Sequence, residues 1–247
     1  MIIKTLKYLV IIVIITSCKK ENAIDCFKSN GTQKTEIRYL ADFNRIKTYD
    51  KIEVTIVKGT DYKIEVNAGK HLLSNIITKV TDGILSIQNK NKCNFVRGYK
   101  NKITATVTLP YLNLVENLGV GTVYFDANFN QDTLKVRAEN SGDIYINGSY
   151  YRITTSSHGD GNIYANGTCN TLSVYMYGTN FFYGQNLTTT NYAFAENISI
   201  GSAYINAPNT GTFECNIHKD GNIYYTGNPT VLNDFSDGTA KGKLIKN

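Results

Sequence analysis

The feature that most constrains this 247-residue chain is a repeat of about twenty residues in its second half. Six tyrosines recur there at spacings of 19 to 21 residues, namely Tyr124, Tyr145, Tyr164, Tyr183, Tyr204 and Tyr224. Three residues before each of them stand Gly121, Gly142, Gly161, Asn180, Gly201 and Gly221. A fixed period of this length is typical of repeat architectures, in which each unit packs against its neighbours in the stack.

The glycine column predicts a tight turn at the same place in every repeat. Glycine adopts positive φ angles without strain, and asparagine tolerates them better than most other residues. Asn180, the one departure from glycine, fits this requirement. We therefore interpret the column as a series of structural turns that need a positive φ.

Alternation around each tyrosine predicts a half-buried strand. The tyrosine is flanked by mainly apolar residues, as Val123 and Phe125 flank Tyr124. Successive side chains of a strand point to opposite faces, so we expect the flanking columns to face inward and the tyrosines outward. Alternating residues between successive turns indicate a second strand in each repeat, at 134–138, 153–157 and 172–176.

Two strands per repeat predict an all-β flattened β-helix, with two sheets face to face and about 20 residues per rung. Right-handed winding is expected from the general handedness of parallel crossovers. The competing fold is an antiparallel sandwich, which would not need the same residue types at the same offsets six times. Alternating segments near Ile52 and Ile103 extend the single predicted domain to 41–247, with clear repeats over 119–238.

The first eighteen residues predict the compartment. Lys4 and Lys7 accompany an apolar run at 8–15 that is too short to span a bilayer as a helix. The segment from Ile15 to Cys18 resembles a bacterial lipobox, which implies cleavage after residue 17 and acylation of Cys18. We expect a signal peptide at 1–17, a lipidated N-terminus and polar tether at 18–40, and a lipid-anchored outer-membrane protein that is periplasmic or surface-exposed. An ordinary signal peptide with a chance cysteine is the alternative.

The charge of the chain argues against nucleic acid as a partner. The formal net charge is +6, and removal of residues 1–17 with Lys4 and Lys7 lowers it to +4. The sequence has no long run of lysine and arginine, which nucleic-acid-binding segments often contain.

Four cysteines remain once Cys18 is assigned to lipid. Cys169 and Cys215 lie two rungs apart at different offsets, so we expect them to be buried and not bonded to each other. Cys26 and Cys93 either form a disulfide that clamps the tether or stay free, and the sequence leaves both open.

The residues that could support enzyme chemistry do not converge in the predicted fold. His158 and His218 occupy equivalent offsets three rungs apart, roughly 14 Å at the usual strand spacing, too far for one metal or one proton relay. Asp143 and Asp160 lie near the turn edge, where we interpret them as local turn caps. The repeated Gly-Gly-x-Gly-x-Asp signature of calcium β-rolls is absent from the sequence. We expect no catalytic residue, no metal and no cofactor.

Several segments together resemble the head GIN domain family of auto-transporter adhesins, which is common among Bacteroidetes lipoproteins. The resemblance spans roughly Phe43 to Gly238. It is carried by Phe43-Asn44-Arg45-Ile46, Val54-Thr55-Ile56-Val57-Lys58-Gly59, Leu109-Pro110, and the serial turns at Gly119-Val120-Gly121, Asn140-Ser141-Gly142 and His158-Gly159-Asp160-Gly161. It implies a pectin-lyase-like β-helix and a role in adhesion, and it names no ligand.

The tyrosine column is the candidate binding surface. In register, six phenols would form an exposed ladder whose aromatic faces and hydroxyls suit sugar rings or a surface protein. Stacking that merely stabilises an exposed sheet is the plainer interpretation. Adhesion or surface binding is therefore our expected function, with a carbohydrate-active enzyme or a purely structural envelope protein as the alternatives.

Replacing Cys18 by serine tests the lipid anchor. Cys18→Ser removes the acylated thiol, so we expect the precursor to stay uncleaved or soluble and to leave the detergent phase in a detergent partitioning assay. Unchanged partitioning of the variant would contradict lipidation at this residue.

Overall fold

A computed structural model of the chain describes residues 29–92 and 102–247. The predicted signal peptide, Cys18, Cys26 and Cys93 lie outside the described residues. Within the described ranges no helix is long and apolar enough to cross a membrane.

The described residues form one β-solenoid domain of about 7 turns with about 20 residues per rung, as the repeat predicts. The chain winds between two sheets that face each other. In sheet order, the first contains β1 (Gln33–Tyr39), β4 (Lys63–Gly69), β7 (Thr104–Leu109), β3 (Glu53–Lys58), β9 (Val123–Phe125), β11 (Ile144–Ile146), the starts of β13 (Ile163–Met176) and β14 (Phe182–Asn197), β15 (Ala203–Asn206), β17 (Ile223–Thr226) and β19 (Leu244–Lys246).

The second sheet carries the other strand of each rung. In order it contains β5 (Ile76–Thr81), β6 (Ile84–Asn89), β2 (Arg45–Thr48), β8 (Leu114–Asn117), β10 (Gln131–Ala138), β12 (Ser149–Ser157), the ends of β13 and β14, β16 (Thr212–Ile217) and β18 (Val231–Asp234). β13 and β14 are long because each continues round the corner from the first sheet into the second. A 3-10 turn at Leu73–Asn75 precedes β5.

The core is the space between the two sheets, and the inward columns fill it as the alternation predicts. The residue before each ladder tyrosine is at most 1% exposed, from Val123 to Ile223. On the second sheet Leu134, Ile153 and Leu172 are fully buried at equivalent positions. A single rung could not exclude water from these side chains, so the core forms only when rungs stack.

The two buried cysteines lie in this core without a bond between them, as predicted. Cys169 on β13 and Cys215 on β16 are both free thiols. Burial raises the pKa of Cys169 to about 11 and that of Cys215 to about 12. Both therefore stay protonated near neutral pH and act as small apolar residues.

The N-terminal end of the solenoid departs from the parallel winding. β1 pairs antiparallel with β4, and β4 pairs antiparallel with β7. β5 and β6 form a hairpin whose turn residues Asp82 and Gly83 both have positive φ, 50° and 70°, a conformation that Asp-Gly favours in hairpin turns.

The tether predicted at 18–40 extends too far toward the C-terminus. Residues 33–39, assigned to it, form β1 at the edge of the first sheet. All but one of the residues of β1 are exposed, so the strand lacks the apolar alternation that marks a half-buried strand. Its pairing with β4 covers an edge that would otherwise present unpaired backbone groups.

The glycine turns follow the predicted column, but the predicted reason for glycine is wrong. Gly121, Gly142, Gly161, Gly201 and Gly221 are not among the positive-φ glycines, and Asn180 has no positive φ either. At these five positions glycine is needed because a Cβ would meet neighbouring backbone, whereas the column accommodates the Asn180 side chain. A Cβ at Gly142 would overlap the carbonyl oxygen of Gly121, and one at Gly161 would overlap that of Gly142.

Buried asparagine side chains donate hydrogen bonds to backbone carbonyls along this edge. The sequence pattern did not reveal this role. Asn180 is fully buried; its amide donates to the Gly159 carbonyl at 2.8 Å and its side-chain oxygen accepts from Ser157 Oγ at 2.7 Å. Asn117 and Asn197 donate to the carbonyls of Gly121 and Gly201 at 2.8 and 3.0 Å. The amides of Asn117 and Asn197 thereby give a partner to the carbonyls of two buried turn glycines.

The repeat continues one rung beyond the predicted 119–238. β19 pairs in parallel with β17, and Ile245 lies opposite Tyr224. Gly242, three residues before Ile245, stacks on Gly221 as the other turn glycines stack on theirs. The tyrosine pattern misses this rung because isoleucine takes the tyrosine position.

Replacing Gly142 by alanine tests the steric account of the turn edge. The added methyl group has to displace the backbone of the neighbouring turn, so we expect Gly142→Ala to lower the free energy of unfolding by about 1–3 kcal/mol. The adjacent Ser141, which is exposed, provides the control: Ser141→Ala should change stability by at most about 0.5 kcal/mol. Equal stability of both variants in denaturant titration would contradict the close approach.

Candidate functional site: the tyrosine face

The six tyrosines lie in register on the outer surface of the first sheet. Each pairs with the next across parallel strands, from Tyr124 opposite Tyr145 to Tyr204 opposite Tyr224. Their ring centroids are 5.1, 4.4, 4.8, 5.4 and 5.1 Å apart, with interplanar angles between 4° and 18°. We call this stack the tyrosine ladder.

The spacing of the ladder follows from the backbone. Neighbouring strands of a sheet lie about 4.8 Å apart, and an in-register parallel pair places identical positions side by side. Aromatic rings at that separation prefer stacked or offset arrangements. The period of the sequence thus becomes a continuous column of rings.

Stacking changes what the ladder offers to a ligand. Each interior ring has its two faces covered by neighbouring rings, so ring edges and hydroxyl groups face the solvent. Sugar rings therefore cannot stack on the interior tyrosines, contrary to the expectation that the ladder offers aromatic faces. At one end Tyr124 lies beside Thr55 and is 39% exposed, and at the other end Ile245 follows Tyr224.

A lane of mainly polar side chains, interrupted by Phe181, runs along one side of the ladder, two residues before each tyrosine. Oxygen atoms in this lane accept hydrogen bonds from the backbone of the next rung. Asp143 accepts from Asn162 N at 2.8 Å, Asn162 from Phe181 N at 2.8 Å, and Asn222 from Lys243 N at 2.8 Å. Asn222 also donates to the Tyr224 hydroxyl at 2.9 Å.

A second lane, two residues after the tyrosines, is rich in amides. Asn166 donates to Asn147 at 3.2 Å, and Asn147 donates to the Phe125 carbonyl at 3.0 Å. Beside this lane Tyr145, Tyr164, Tyr183, Asn166, Gln185 and Asn186 line a shallow groove of about 190 Å³. The groove joins phenol edges to carboxamide groups over three rungs.

Partial burial of the ladder raises the pKa of four of its phenols. The pKa values of Tyr145, Tyr164, Tyr183 and Tyr204 all lie above the ordinary tyrosine value, with desolvation as the largest cause. The negative charge of Asp143 adds to the effect at Tyr145 and Tyr164. These four phenols are therefore neutral hydrogen-bonding groups at physiological pH.

The histidines and aspartates considered for catalysis lie apart from one another. His158 stacks on Tyr177 at 4.7 Å, and His218 lies 3.4 Å from Glu196. Asp143 and Asp160 cap turns, but across rungs instead of locally, since Asp143 accepts from Asn162 N and Asp160 from Thr179 Oγ1. In ranges 29–92 and 102–247 no three His, Cys, Asp or Glu residues are grouped to hold a metal ion.

The raised phenol pKa values predict how stability responds to alkaline pH. Below pH about 10 the tyrosines are neutral in both the folded and the unfolded state. As pH rises past that value the unfolded chain releases its protons first, so we expect stability to fall with increasing pH. Unfolding midpoints measured across this range, with absorbance of the ionised phenol, check the expectation.

Tyr164→Phe supplies the matched control because it keeps the stacked ring and removes one titrating hydroxyl. We expect the difference between the absorbance titrations of the unaltered protein and the Tyr164→Phe variant to show one phenol whose pKa lies above that of free tyrosine. A difference curve centred at or below the pKa of free tyrosine would contradict the desolvation of the ladder.

Solved structures similar to this chain show the same fold. The crystal structure of "a putative adhesin" from Bacteroides fragilis NCTC 9343 has 22% sequence identity and a TM-score of 0.75, covering 87% of this chain and 97% of that one. A "putative adhesin" from Parabacteroides merdae ATCC 43184 has 18% identity and a TM-score of 0.64, covering 89% of this chain and 98% of that one. A "putative lipid binding protein" from Parabacteroides distasonis ATCC 8503 has 17% identity and a TM-score of 0.66, covering 87% of this chain and 98% of that one.

Among curated proteins no sequence matches this chain. A family model does, and it extends over residues 42–229, from the start of the second sheet to the sixth tyrosine rung. That range includes the glycine edge and the whole tyrosine ladder. The chain therefore belongs to the family described as "putative auto-transporter adhesin, head GIN domain".

Proposed function

We propose that this protein is a non-enzymatic binding module of the cell envelope, an adhesin-like lipoprotein that holds its ligand on the tyrosine face. The ligand is a glycan or a protein on another surface, and the anchor is an acylated Cys18 in the outer membrane. The observation that carries the proposal is the six-membered tyrosine ladder on the outside of the first sheet.

The arrangement of polar groups around the ladder supports contact with a neutral, hydrogen-bonding partner. Both flanking lanes consist mainly of uncharged amide and hydroxyl side chains. Aromatic edges with neutral hydroxyls combine apolar contact area with hydrogen-bonding capacity, a combination enriched at interfaces. Asp126 and Asp143 are acidic members of these lanes, and each carboxylate already accepts a backbone hydrogen bond.

The geometry also favours an extended partner. Contacts to ring edges are individually weak, but the ladder repeats them along five intervals of 4.4 to 5.4 Å. A partner that lies along the solenoid axis can engage several phenols and amides at once, and linked contacts raise the overall affinity far above that of any one. Several copies displayed on a membrane would add to this effect.

Family membership supports the same proposal at a coarser level. The family description names an adhesin, and similar structures from Bacteroides fragilis and Parabacteroides merdae carry the same word. An adhesin works at a surface or in the envelope, where a lipid anchor at Cys18 would place this domain.

A triple substitution in the middle of the ladder tests the proposal. Tyr145, Tyr164 and Tyr183 are replaced together by serine, which removes three rings while leaving Ile144, Ile163 and Phe182 in the core. We expect binding to whole cells or to a glycan array to be lost. Stability should fall modestly, since cross-strand pairs contribute about 0.2–1 kcal/mol each, whereas a buried aromatic would cost about 3–5 kcal/mol.

Exposed tyrosines away from the ladder provide the matched control. Tyr39 and Tyr111 are 77% and 42% exposed, and replacing both by serine should leave binding unchanged. Retained binding in the triple variant, with a small loss of thermal stability, would reject the binding role and leave the ladder as a structural element.

A further inference from the structure

A groove runs along the corner where the chain passes from the first sheet to the second. Its volume is about 560 Å³, within the range of ligand-binding clefts. The floor is an inward column in which Gln131, Tyr150 and Cys169 are paired rung to rung. Tyr150 and Cys169 are 5% and 2% exposed, so the floor is rigid and closed.

One wall of the groove is a column of side chains with different chemistry on each rung. Asp132, Tyr151 and Asn170 follow the floor residues by one position, and Thr190, next to Asn170, lines the groove with them. At the usual strand spacing the column spans about 14 Å, the length of a short oligomer.

Tyr151 differs from the ladder tyrosines in having its ring open. It is 59% exposed, against 39% for Tyr124 at the open end of the ladder. Among the described residues no aromatic ring stacks on it, and its neighbours in the column are Asp132 and Asn170. An isolated ring that projects beside a groove offers a face to the apolar side of a sugar ring.

The polar groups beside Tyr151 are available to a ligand. Within ranges 29–92 and 102–247 the Asp132 carboxylate makes no hydrogen bond and no ion pair. By contrast Gln131 on the floor is fully used, because its amide donates to the carbonyls of Leu112 and Thr133 and accepts from Leu112 N. Asn170 makes only long contacts, at 3.4 Å to Thr190 and 3.3 Å to Thr171.

We infer that this corner groove binds a neutral oligosaccharide, with Tyr151 as the stacking platform and Asp132 and Asn170 as hydrogen-bonding partners. Sugar hydroxyls both donate and accept, so they match a free carboxylate and an amide on neighbouring rungs. Asp132 is the charged group of the lining and disfavours acidic sugars and phosphates, which need cationic partners. The inference goes beyond the proposed function, because it places a saccharide site in a groove separate from the ladder.

The test uses the full chain in detergent on an array of linear neutral oligosaccharides, derived from glucan, mannan, xylan and galactan, beside acidic uronate and sialylated ones. We expect the protein to bind at least one neutral oligosaccharide. Tyr151→Ala should weaken that binding by about tenfold or more, Tyr151→Phe should retain most of it, and Asp132→Ala should also weaken it. Tyr39→Ala, a change at another exposed tyrosine, should have no effect.

The outcomes separate this inference from the proposed function. Binding to acidic oligosaccharides alone, or to none of the array, overturns the corner groove as a saccharide site. Binding that survives Tyr151→Ala but is lost in the triple ladder variant also overturns it, and leaves the proposed role of the ladder standing. Loss in Tyr151→Ala with unaltered binding in the ladder variant supports the groove and removes the ladder from recognition.

Discussion

The hydrogen bonds between parallel rungs in register are the interaction on which the other features of this structure depend. They hold equivalent residues of successive repeats about one strand spacing apart. At most positions of the turn edge that spacing leaves no room for a Cβ, so glycine is required there, and buried asparagines bond the turn carbonyls. On the outer face the same spacing brings six phenol rings into one stack.

Because of this spacing, rigidly held rings and rings with an accessible face occur at different places on the molecular surface. The ladder is rigid because every interior ring is held between two others, and for that reason it presents edges. Tyr151 stands in a corner column whose rung neighbours are Asp132 and Asn170, and it keeps an open face. A repeat with identical residues on each rung produces a uniform surface, whereas a column with a different residue on each rung can produce a discrete site.

Residue periodicity was sufficient to predict the solenoid, its two strands per rung and its inward columns, because burial selects apolar residues at every second position. It could not distinguish a conformational need for glycine from a steric one, since both leave the same residue at Gly142 and Gly161. β1 was missed because an exposed edge strand has no buried face to mark it. The corner groove was missed because its residues share neither identity nor hydropathy, and only the register aligns Asp132 with Tyr151.

The N-terminal end of the solenoid is built differently from its middle. Antiparallel strands close the N-terminal end, while the interior rungs are near equivalents of one another in both pairing and turn structure. A rung of about twenty residues could therefore be duplicated or deleted in the interior without disturbing the antiparallel strands at the N-terminal end. Each such event would change the length of the tyrosine face by one phenol and about 4.8 Å, which makes its reach a quantity that evolution can adjust in discrete steps.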